Sequence, residues 1–161
     1  MSAGVLYVHS CPPVLCPYVE WAVAAELGTR ARMEWSDQPA APGQLRAEIN
    51  WRGRPGTAGR LAAALRGWTL LRYEVTEEPS AGVDGERYAV TPTLGVFRAS
   101  MSVNGDLLIG EDRLRTLLAT ATGPQLAQGL DRLLGSAWDD ELEPYRTAGD
   151  GAPVTWLHQV V

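Results

Sequence analysis

The chain has 161 residues, a formal net charge of −5, 45% hydrophobic residues and 20% charged residues. This length suits one compact domain, and the composition excludes a wholly disordered, collagen-like or coiled-coil chain. The longest apolar run is far shorter than the ~20 residues that span a bilayer, and the first residues lack the basic start and apolar stretch of a secretory signal. Two cysteines cannot form a disulfide framework. We therefore expect a cytoplasmic protein.

Charge is distributed unevenly along the chain. All 14 basic residues are arginine. Residues 30–72 contain eight arginines and three acidic residues, whereas residues 73–161 contain six arginines and fourteen acidic residues. The basic middle indicates an anionic partner for this segment, or charge complementarity between the middle and the acidic rear.

The chain begins with a strand and a helix. The apolar run at residues 4–9 is rich in β-formers and stops at two prolines, which predicts a buried strand. Residues 17–27 have apolar side chains at helical spacing, with Pro17 at the first position and Gly28 at the C-terminal cap, which predicts a helix.

A hairpin, a helix and a strand are predicted next. Residues 30–36 and 45–52 alternate apolar and polar side chains and predict a half-exposed hairpin. Thr57 is expected to cap a helix that ends at Gly67, and residues 69–76 predict the following strand. The resulting order, βαββαβ, is typical of a ferredoxin-like split βαβ unit.

The second half adds further elements to this unit. Residues 77–86 are rich in proline and glycine and mark a boundary. After it we predict a β-hairpin over 95–103 and 107–109 around Asn104-Gly105, helices over 111–121 and 124–134, and a strand-like tail. The expected fold is therefore α+β, one compact domain over 1–161 with a ferredoxin-like part at 1–78 and a second part at 86–161 that covers the open sheet face or its edge.

The segment RGRPGTAGR at residues 52–60 is the strongest candidate site. It is a glycine-bearing loop between a predicted strand and a predicted helix, where free amides and guanidinium groups attract phosphate or carboxylate. The spacing and the missing lysine exclude a Walker A loop. The alternative is a capped helix start with solvated arginines. The candidate anion- or partner-binding residues are Arg52, Arg54, Gly56, Thr57 and Arg60.

Two thiols and a histidine surround the end of the first strand. Cys16 at a helix start suggests a thiol of lowered pKa that His9 assists, but buried cysteine is more often a small core residue. Cys11 and Cys16 have four residues between them rather than two, and no further ligands complete a zinc site. We therefore predict no catalytic residue, no metal and no cofactor, and leave open whether these three residues are more than structural.

Acidic pairs have ordinary explanations. Glu111 and Asp112 suit the start of a helix. The acidic cluster at 139–143 suits a solvated turn or a docking site for the arginine-rich middle, with a metal or catalytic role as the alternative. His158 is expected to be a core or interface residue.

Six tryptophans are many for this length. The alternation places Trp35 and Trp51 on the inner face of the hairpin, so most are expected in the core. An exposed tryptophan would mark a protein or ligand interface.

Nucleic acid is not a favoured partner, and no membrane contact is expected. The basic hairpin face, with Arg30, Arg32, Arg46 and Arg52, has no interleaved aromatic residues that would stack bases, and the net charge is negative.

Several longer segments resemble a known family. GVLYVHS, CPYVEWA, PGTAGRLAAALRGW, GDLLIGEDRLR, WDDELEPYR and GAPVTWLHQVV together resemble an actinobacterial family catalogued as Domain of Unknown Function 3145. The resemblance transfers no activity, cofactor or catalytic residue. It implies a gene near type II fatty acid synthesis genes, and hence acyl carrier protein as an acidic partner.

The expected function is that of a cytoplasmic accessory or regulatory protein, which binds an acidic protein or an anionic, phosphate-bearing metabolite through residues 52–60. One alternative is a small enzyme of unknown reaction on an acyl or phosphate-bearing substrate, with His9 or Cys16 near its centre. Another is a structural homo-oligomer. An enzyme should show a deep pocket with converging polar groups, and a binding module a shallow basic or aromatic surface.

Overall fold

The computed structural model describes residues 1–148 and the backbone of residues 154–156. His158 lies outside the described residues. Within them the chain forms five helices and one mixed sheet, so the predicted α+β class is confirmed. The strands are β1 (Ser2–Cys11), β2 (Ser36–Asp37), β3 (Leu45–Gly53), β4 (Arg72–Glu77), β5 (Gly85–Thr91), β6 (Gly95–Met101), β7 (Leu107–Leu108) and β8 (Val154–Trp156). The helices are α1 (Cys16–Leu27), α2 (Thr57–Leu65), α3 (Glu111–Thr120), α4 (Pro124–Leu134) and α5 (Ser136–Ala148).

The sheet order is β2-β3-β1-β4-β5-β6-β7, with every neighbouring pair antiparallel, and β8 pairs parallel to β3. Its first part has the predicted βαββαβ order of elements. The likeness of that part to ferredoxin-like proteins stays a prediction. β5 pairs directly with β4, so the sheet continues across the sequence boundary at 77–86.

The first helix forms as its sequence indicates. A short 3₁₀ turn at Pro13–Leu15 leads into α1, and Gly28 ends the helix at φ 68°, a backbone conformation that glycine adopts without a side-chain clash. The helix lies within one residue of its predicted bounds.

The strand predicted at 30–36 is wrong for most of its length. Only Ser36–Asp37 pairs with β3. The predicted alternation holds, because Ala31 and Met33 are buried while Arg32 is exposed. The backbone amide of Met33, however, donates to a carboxylate oxygen of Glu20 on α1 (3.0 Å), so a side chain replaces the expected strand partner here.

The cap predicted for α2 is also wrong. Gly56, at φ 87°, occupies the capping position, and Thr57 is the first helical residue. The Thr57 hydroxyl donates to the Arg54 carbonyl oxygen (2.6 Å) instead of accepting from an amide of the helix start.

In the second half, the hairpin around Asn104-Gly105 and the helices α3 and α4 form close to their predicted bounds. Two elements were not predicted. β5 lies within residues left unassigned, and the acidic segment, expected to be a solvated turn or a docking site for the basic middle, is the middle of α5.

The central strands separate two cores. Leu6 and Val8 on β1 face the layer of α1 and α2, where they pack with Val19 and Leu61. On the opposite face of the sheet, α5 covers β1 and β5, and its Leu142 is fully buried. The second core consists of Ala89, Phe97, Ala99 and Leu142, with Leu107 and Trp138 packed against it.

Candidate functional site

The predicted anion loop contains its own anion. The carboxylate of Glu77 on β4 accepts hydrogen bonds from the backbone amides of Gly56 (2.8 Å) and Ala58 (2.9 Å) at the start of α2. It also accepts from the Ser2 hydroxyl (2.8 Å), and Glu77 is buried. A carboxylate at a helix N-terminus satisfies the donors that an external phosphate would need. This geometry counts against an anion site that depends on free amides.

Two of the candidate side chains of this loop, Arg52 and Arg60, lie on opposite sides of the sheet. Trp51 faces the core under α1 and α2, so its neighbour Arg52 on the same strand points to the opposite face of the sheet. Arg60 folds back over its own helix, donates to the Thr57 hydroxyl oxygen (2.6 Å) and lies 3.9 Å from a carboxylate oxygen of Glu26. Arg54 is exposed.

The outer face of α1 carries an exposed apolar stripe. Val14 in the 3₁₀ turn is 72% exposed, Tyr18 56% and Trp21 71%. Together with the exposed Ala25 they are spaced by three or four residues, which places them on one face. We call Val14, Tyr18, Trp21 and Ala25 the α1 stripe. Large apolar side chains grouped on a surface mark an interaction site more often than single exposed ones.

The rest of α1 explains why this face stays outside. Val19, Val23 and Leu27 fill the core beneath the helix. Glu20 is held at the side of the helix, because its carboxylate accepts from the Trp35 indole (2.9 Å) as well as from the Met33 amide. The helix is therefore apolar on two opposite sides, a pattern usually found in helices buried all round. The sequence already shows apolar residues on both sides of this helix, and this pattern could have located the stripe.

Arginines without an acidic partner lie at both ends of α1. Glu26 near the end of α1 contacts Arg60 near the start of α2, so the two helices run in opposite directions side by side. Arg30 and Arg54 therefore lie toward the end of α1, and Arg66, after α2, lies toward its start. Within the described residues, five exposed arginines of the basic middle form no ion pair: Arg30, Arg32, Arg52, Arg54 and Arg66.

The acidic rear neutralises other arginines instead. Glu141 on α5 pairs with Arg72 (3.4 Å), which is the one ion pair between the basic middle and the rear among the described residues. The other rear acids with ion pairs contact arginines of the same half, as in the pairs of Asp139 with Arg87 and Arg146, Glu86 with Arg98, and Glu111 with Arg115. Charge complementarity between the two halves therefore leaves most of the basic middle available.

A buried ionic cluster fastens α5 to the sheet. The Glu74 carboxylate on β4 accepts from His9 Nε2 (2.7 Å), from Arg87 (2.9 Å) and from two nitrogens of Arg146 (2.8 and 2.5 Å). Arg87 and Arg146 both also contact Asp139. Burial alone would raise the pKa of Glu74, but the hydrogen bonds from His9 and Arg146 and the charge of Arg146 outweigh it and hold the pKa well below its usual range. Both oxygens of Glu74 are occupied by members of the cluster, which is typical of a structural role, whereas His9 Nδ1 is a buried nitrogen without a hydrogen-bond partner among the described residues.

The thiol and histidine do not form a catalytic group. Cys11 and Cys16 lie in the core beneath α1, whereas His9 points to the other face of the sheet and binds Glu74. Burial raises the pKa of both thiols, the opposite of the activation that the sequence suggested. Among the described residues, no group of histidine, cysteine and acidic side chains is arranged to hold a metal ion.

A cleft of about 540 Å³ lies between α3 and α4. Asp112, Arg113 and Arg132 line it together with Leu117. Neither the ionic cluster nor the thiols line this cleft, so the groups with displaced pKa values do not face it.

The comparisons with known proteins show the family to which the chain belongs. The family model described as "Protein of unknown function (DUF3145)" matches residues 5–159, so the chain belongs to this family. No curated protein and no solved structure matches the chain. Within the described residues, no helix combines the length and hydropathy that crossing a membrane requires.

Proposed function

We propose that this protein is a non-catalytic accessory or regulatory protein that binds an acidic protein partner through the α1 stripe. The observation that carries the proposal is Trp21, which is 71% exposed at the centre of an apolar helix face. Tryptophan and tyrosine are the residues that most often dominate binding energy at protein interfaces. A binding module is expected to have such an exposed aromatic surface, whereas an enzyme is expected to have a deep cleft.

The charges around the stripe indicate the chemistry of the partner. Arg30 and Arg54 lie toward one end of α1 and Arg66 toward the other, and none has an acidic partner in the described part of the chain. Basic groups around an apolar centre attract an acidic surface, speed its association and fix its orientation. A negatively charged protein with a short apolar patch is therefore the partner that fits. Acyl carrier protein is the first candidate, because the family resemblance implies a link to fatty acid synthesis.

The enzyme alternative has less support from the geometry. Both oxygens of Glu74 are occupied by cationic groups, and the two thiols are buried with raised pKa values. A general base or nucleophile has to reach a substrate atom. A metabolite site at residues 52–60 is similarly disfavoured, because Glu77 occupies the amides that would bind it.

Trp21→Ala is expected to weaken binding of acyl carrier protein at least tenfold, as loss of a central aromatic anchor does. The thermal midpoint should stay unchanged, because the side chain contributes little to the core. Isothermal titration calorimetry and circular dichroism measure the two quantities. Val103→Ala, an exposed residue on the β6–β7 turn, is the matched control and should bind as the wild type does.

Arg30→Glu combined with Arg66→Glu should reduce the association rate and its dependence on salt. If wild-type protein and acyl carrier protein do not interact, the proposed partner is wrong. If Trp21→Ala binds as tightly as wild type, the α1 stripe is not the binding surface.

A second candidate function, self-association, is favoured by a different observation. The helices α3 and α4 carry seven leucines, and none of them is buried; within these two helices only Gly129 is. The leucines are Leu114, Leu117, Leu118, Leu126, Leu130, Leu133 and Leu134. A second copy of the chain is the occupant that fits, because α3 and α4 together carry three acidic residues and three arginines and so do not repel themselves. A two-fold pairing of this helical hairpin would bury the leucines in a four-helix arrangement.

Leu118→Glu together with Leu130→Glu is expected to convert such a dimer into a monomer, since each substitution places a charge in the apolar contact. Sedimentation velocity measures the change. A monomeric wild type at micromolar concentration contradicts this second candidate without affecting the first.

A further inference from the structure

The two cysteines of the chain form a close pair of free thiols. Cys11 is the last residue of β1 and Cys16 the first of α1, and their sulfur atoms are 3.7 Å apart. Both thiols also lie within contact distance of the Pro12 carbonyl oxygen, Cys11 at 3.4 Å and Cys16 at 3.6 Å. The turn between strand and helix thus holds both sulfur atoms in one place.

The distance left between the sulfur atoms is small. A disulfide needs a separation of about 2.05 Å, so the atoms must approach by less than 2 Å, a shift that side-chain rotation and a slight change of the turn supply. The segment between the cysteines is a short 3₁₀ turn, and its Pro13 and Val14 are exposed. Pro13 and Val14 are therefore the part of the turn that can adjust, whereas Leu15 packs against the core.

The two thiols differ in access. Cys11 is fully buried, whereas Cys16 retains 6% of its surface and lies at the N-terminal end of a helix, which stabilises a thiolate. Burial raises the pKa of both groups, so both are protonated in the closed fold, and reaction requires a brief opening of the turn. Cys16 is the thiol that a reagent reaches first.

We infer that Cys11 and Cys16 are a redox-modification site, which forms a reversible intramolecular disulfide by exchange with a low-molecular-weight disulfide. The Cys16 thiolate attacks one sulfur of the small disulfide, forms a mixed disulfide and releases one small thiolate. The Cys11 thiolate then attacks the Cys16 sulfur, forms the Cys11–Cys16 bond and releases the second small thiolate. The protein loses two electrons to the small disulfide, and the two protons pass through solvent to the released thiolates.

The inference goes beyond the proposed function and does not depend on it. The bond would tie the end of β1 to the start of α1 across the turn that carries Val14. Oxidation therefore changes the turn next to Val14, which is the exposed residue at one end of the α1 stripe.

The test uses the full-length protein with oxidised glutathione under native conditions at pH 8. The remaining thiols are then blocked with N-ethylmaleimide and the protein is digested for mass spectrometry. We expect a peptide linked between Cys11 and Cys16 in monomeric protein, with no glutathione retained, and full recovery of both thiols with dithiothreitol. Because the chain has only two cysteines, each result reports on this pair.

Single variants test the order of attack. Cys11→Ser should retain glutathione on Cys16, whereas Cys16→Ser should leave Cys11 unmodified, with circular dichroism confirming that each variant is folded. Two free thiols in the treated wild type, glutathione retained on the wild type, or dimers linked between chains would each overturn the inference. These wild-type results decide it even if a variant fails to fold.

Discussion

Glu74→Gln should lower the free energy of unfolding by about 3–5 kcal/mol, the range for removing one partner of a buried ion pair. Glu74 is buried, and its carboxylate receives hydrogen bonds from His9, Arg87 and Arg146. Glutamine keeps the shape but removes the charge, so two partly buried guanidinium groups lose their main anion. Urea unfolding at pH 7, followed by circular dichroism, measures the loss.

Glu143→Gln is the matched control. Glu143 also contacts Arg146, at 3.4 Å, but its side chain is 62% exposed and solvent screens the pair. This variant should unfold with the wild type. Equal stability of Glu74→Gln and wild type would show that the cluster does not hold α5 on the sheet.

The same carboxylate makes stability depend on pH. The pKa of Glu74 lies well below its usual range because of His9 and Arg146, although burial opposes the shift. A carboxyl with a depressed pKa adds stability that is fully present above its unfolded pKa, about 4.3, and is lost as the pH falls toward the folded value. The stability difference between wild type and Glu74→Gln should therefore shrink as the pH falls below about 4.

Glu77→Ala should destabilise the protein by about 2–3 kcal/mol, because it removes the N-terminal anion of α2 and the acceptor of three hydrogen bonds. The donors are the amides of Gly56 and Ala58 and the Ser2 hydroxyl. Glu78→Ala, at the exposed neighbouring position, should have no measurable effect. Thermal unfolding distinguishes the two variants.

Removing Glu77 should also create the anion site that the sequence indicated. The vacated amides are then open to phosphate, so millimolar phosphate should raise the thermal midpoint of Glu77→Ala and leave the wild type unchanged. If phosphate stabilises the wild type equally, the amides are not blocked and the original anion hypothesis regains its basis.

The elements that form as predicted are those with local signals. Pro17 and Gly28 delimit α1, and Asn104-Gly105 turns the β6–β7 hairpin. The segment 30–36 shows the limit of such signals. Its alternation reports correctly which side chains are buried, but an extended chain becomes a strand only where a neighbour supplies backbone partners, and here Glu20 supplies one instead.

The missed helix α5 depends on distant residues. Its segment is acidic and contains Pro144, so the local pattern resembles a turn. In the fold, Asp139 and Glu141 face Arg87, Arg72 and the Thr91 hydroxyl, which lie far away in sequence. Such long-range pairing gives no periodic signal along the chain.

The candidate site also has one part that the sequence could predict and one part that it could not. That Glu77 would occupy the start of α2 follows from the pairing of β4 with β1, which residues 52–60 alone do not reveal. The α1 stripe, by contrast, was open to prediction, because residues 18–23 read Tyr-Val-Glu-Trp-Ala-Val and place apolar side chains on two opposite sides of a helix. Which of the two sides faces the core required the fold.

Because β8 pairs with β3, part of the edge of β3 stays unpaired while the rest of the chain is synthesised. β2 protects the outer edge of β3 only at Leu45 and Arg46, and residues 48–50 pair with 154–156, which the ribosome adds roughly a hundred residues later. At 5–20 residues per second this stretch of edge stays bare for about 5–20 seconds of synthesis. Unpaired strand edges can pair with other chains, so nascent copies of this protein are most prone to aggregate in that interval, before β8 leaves the ribosome.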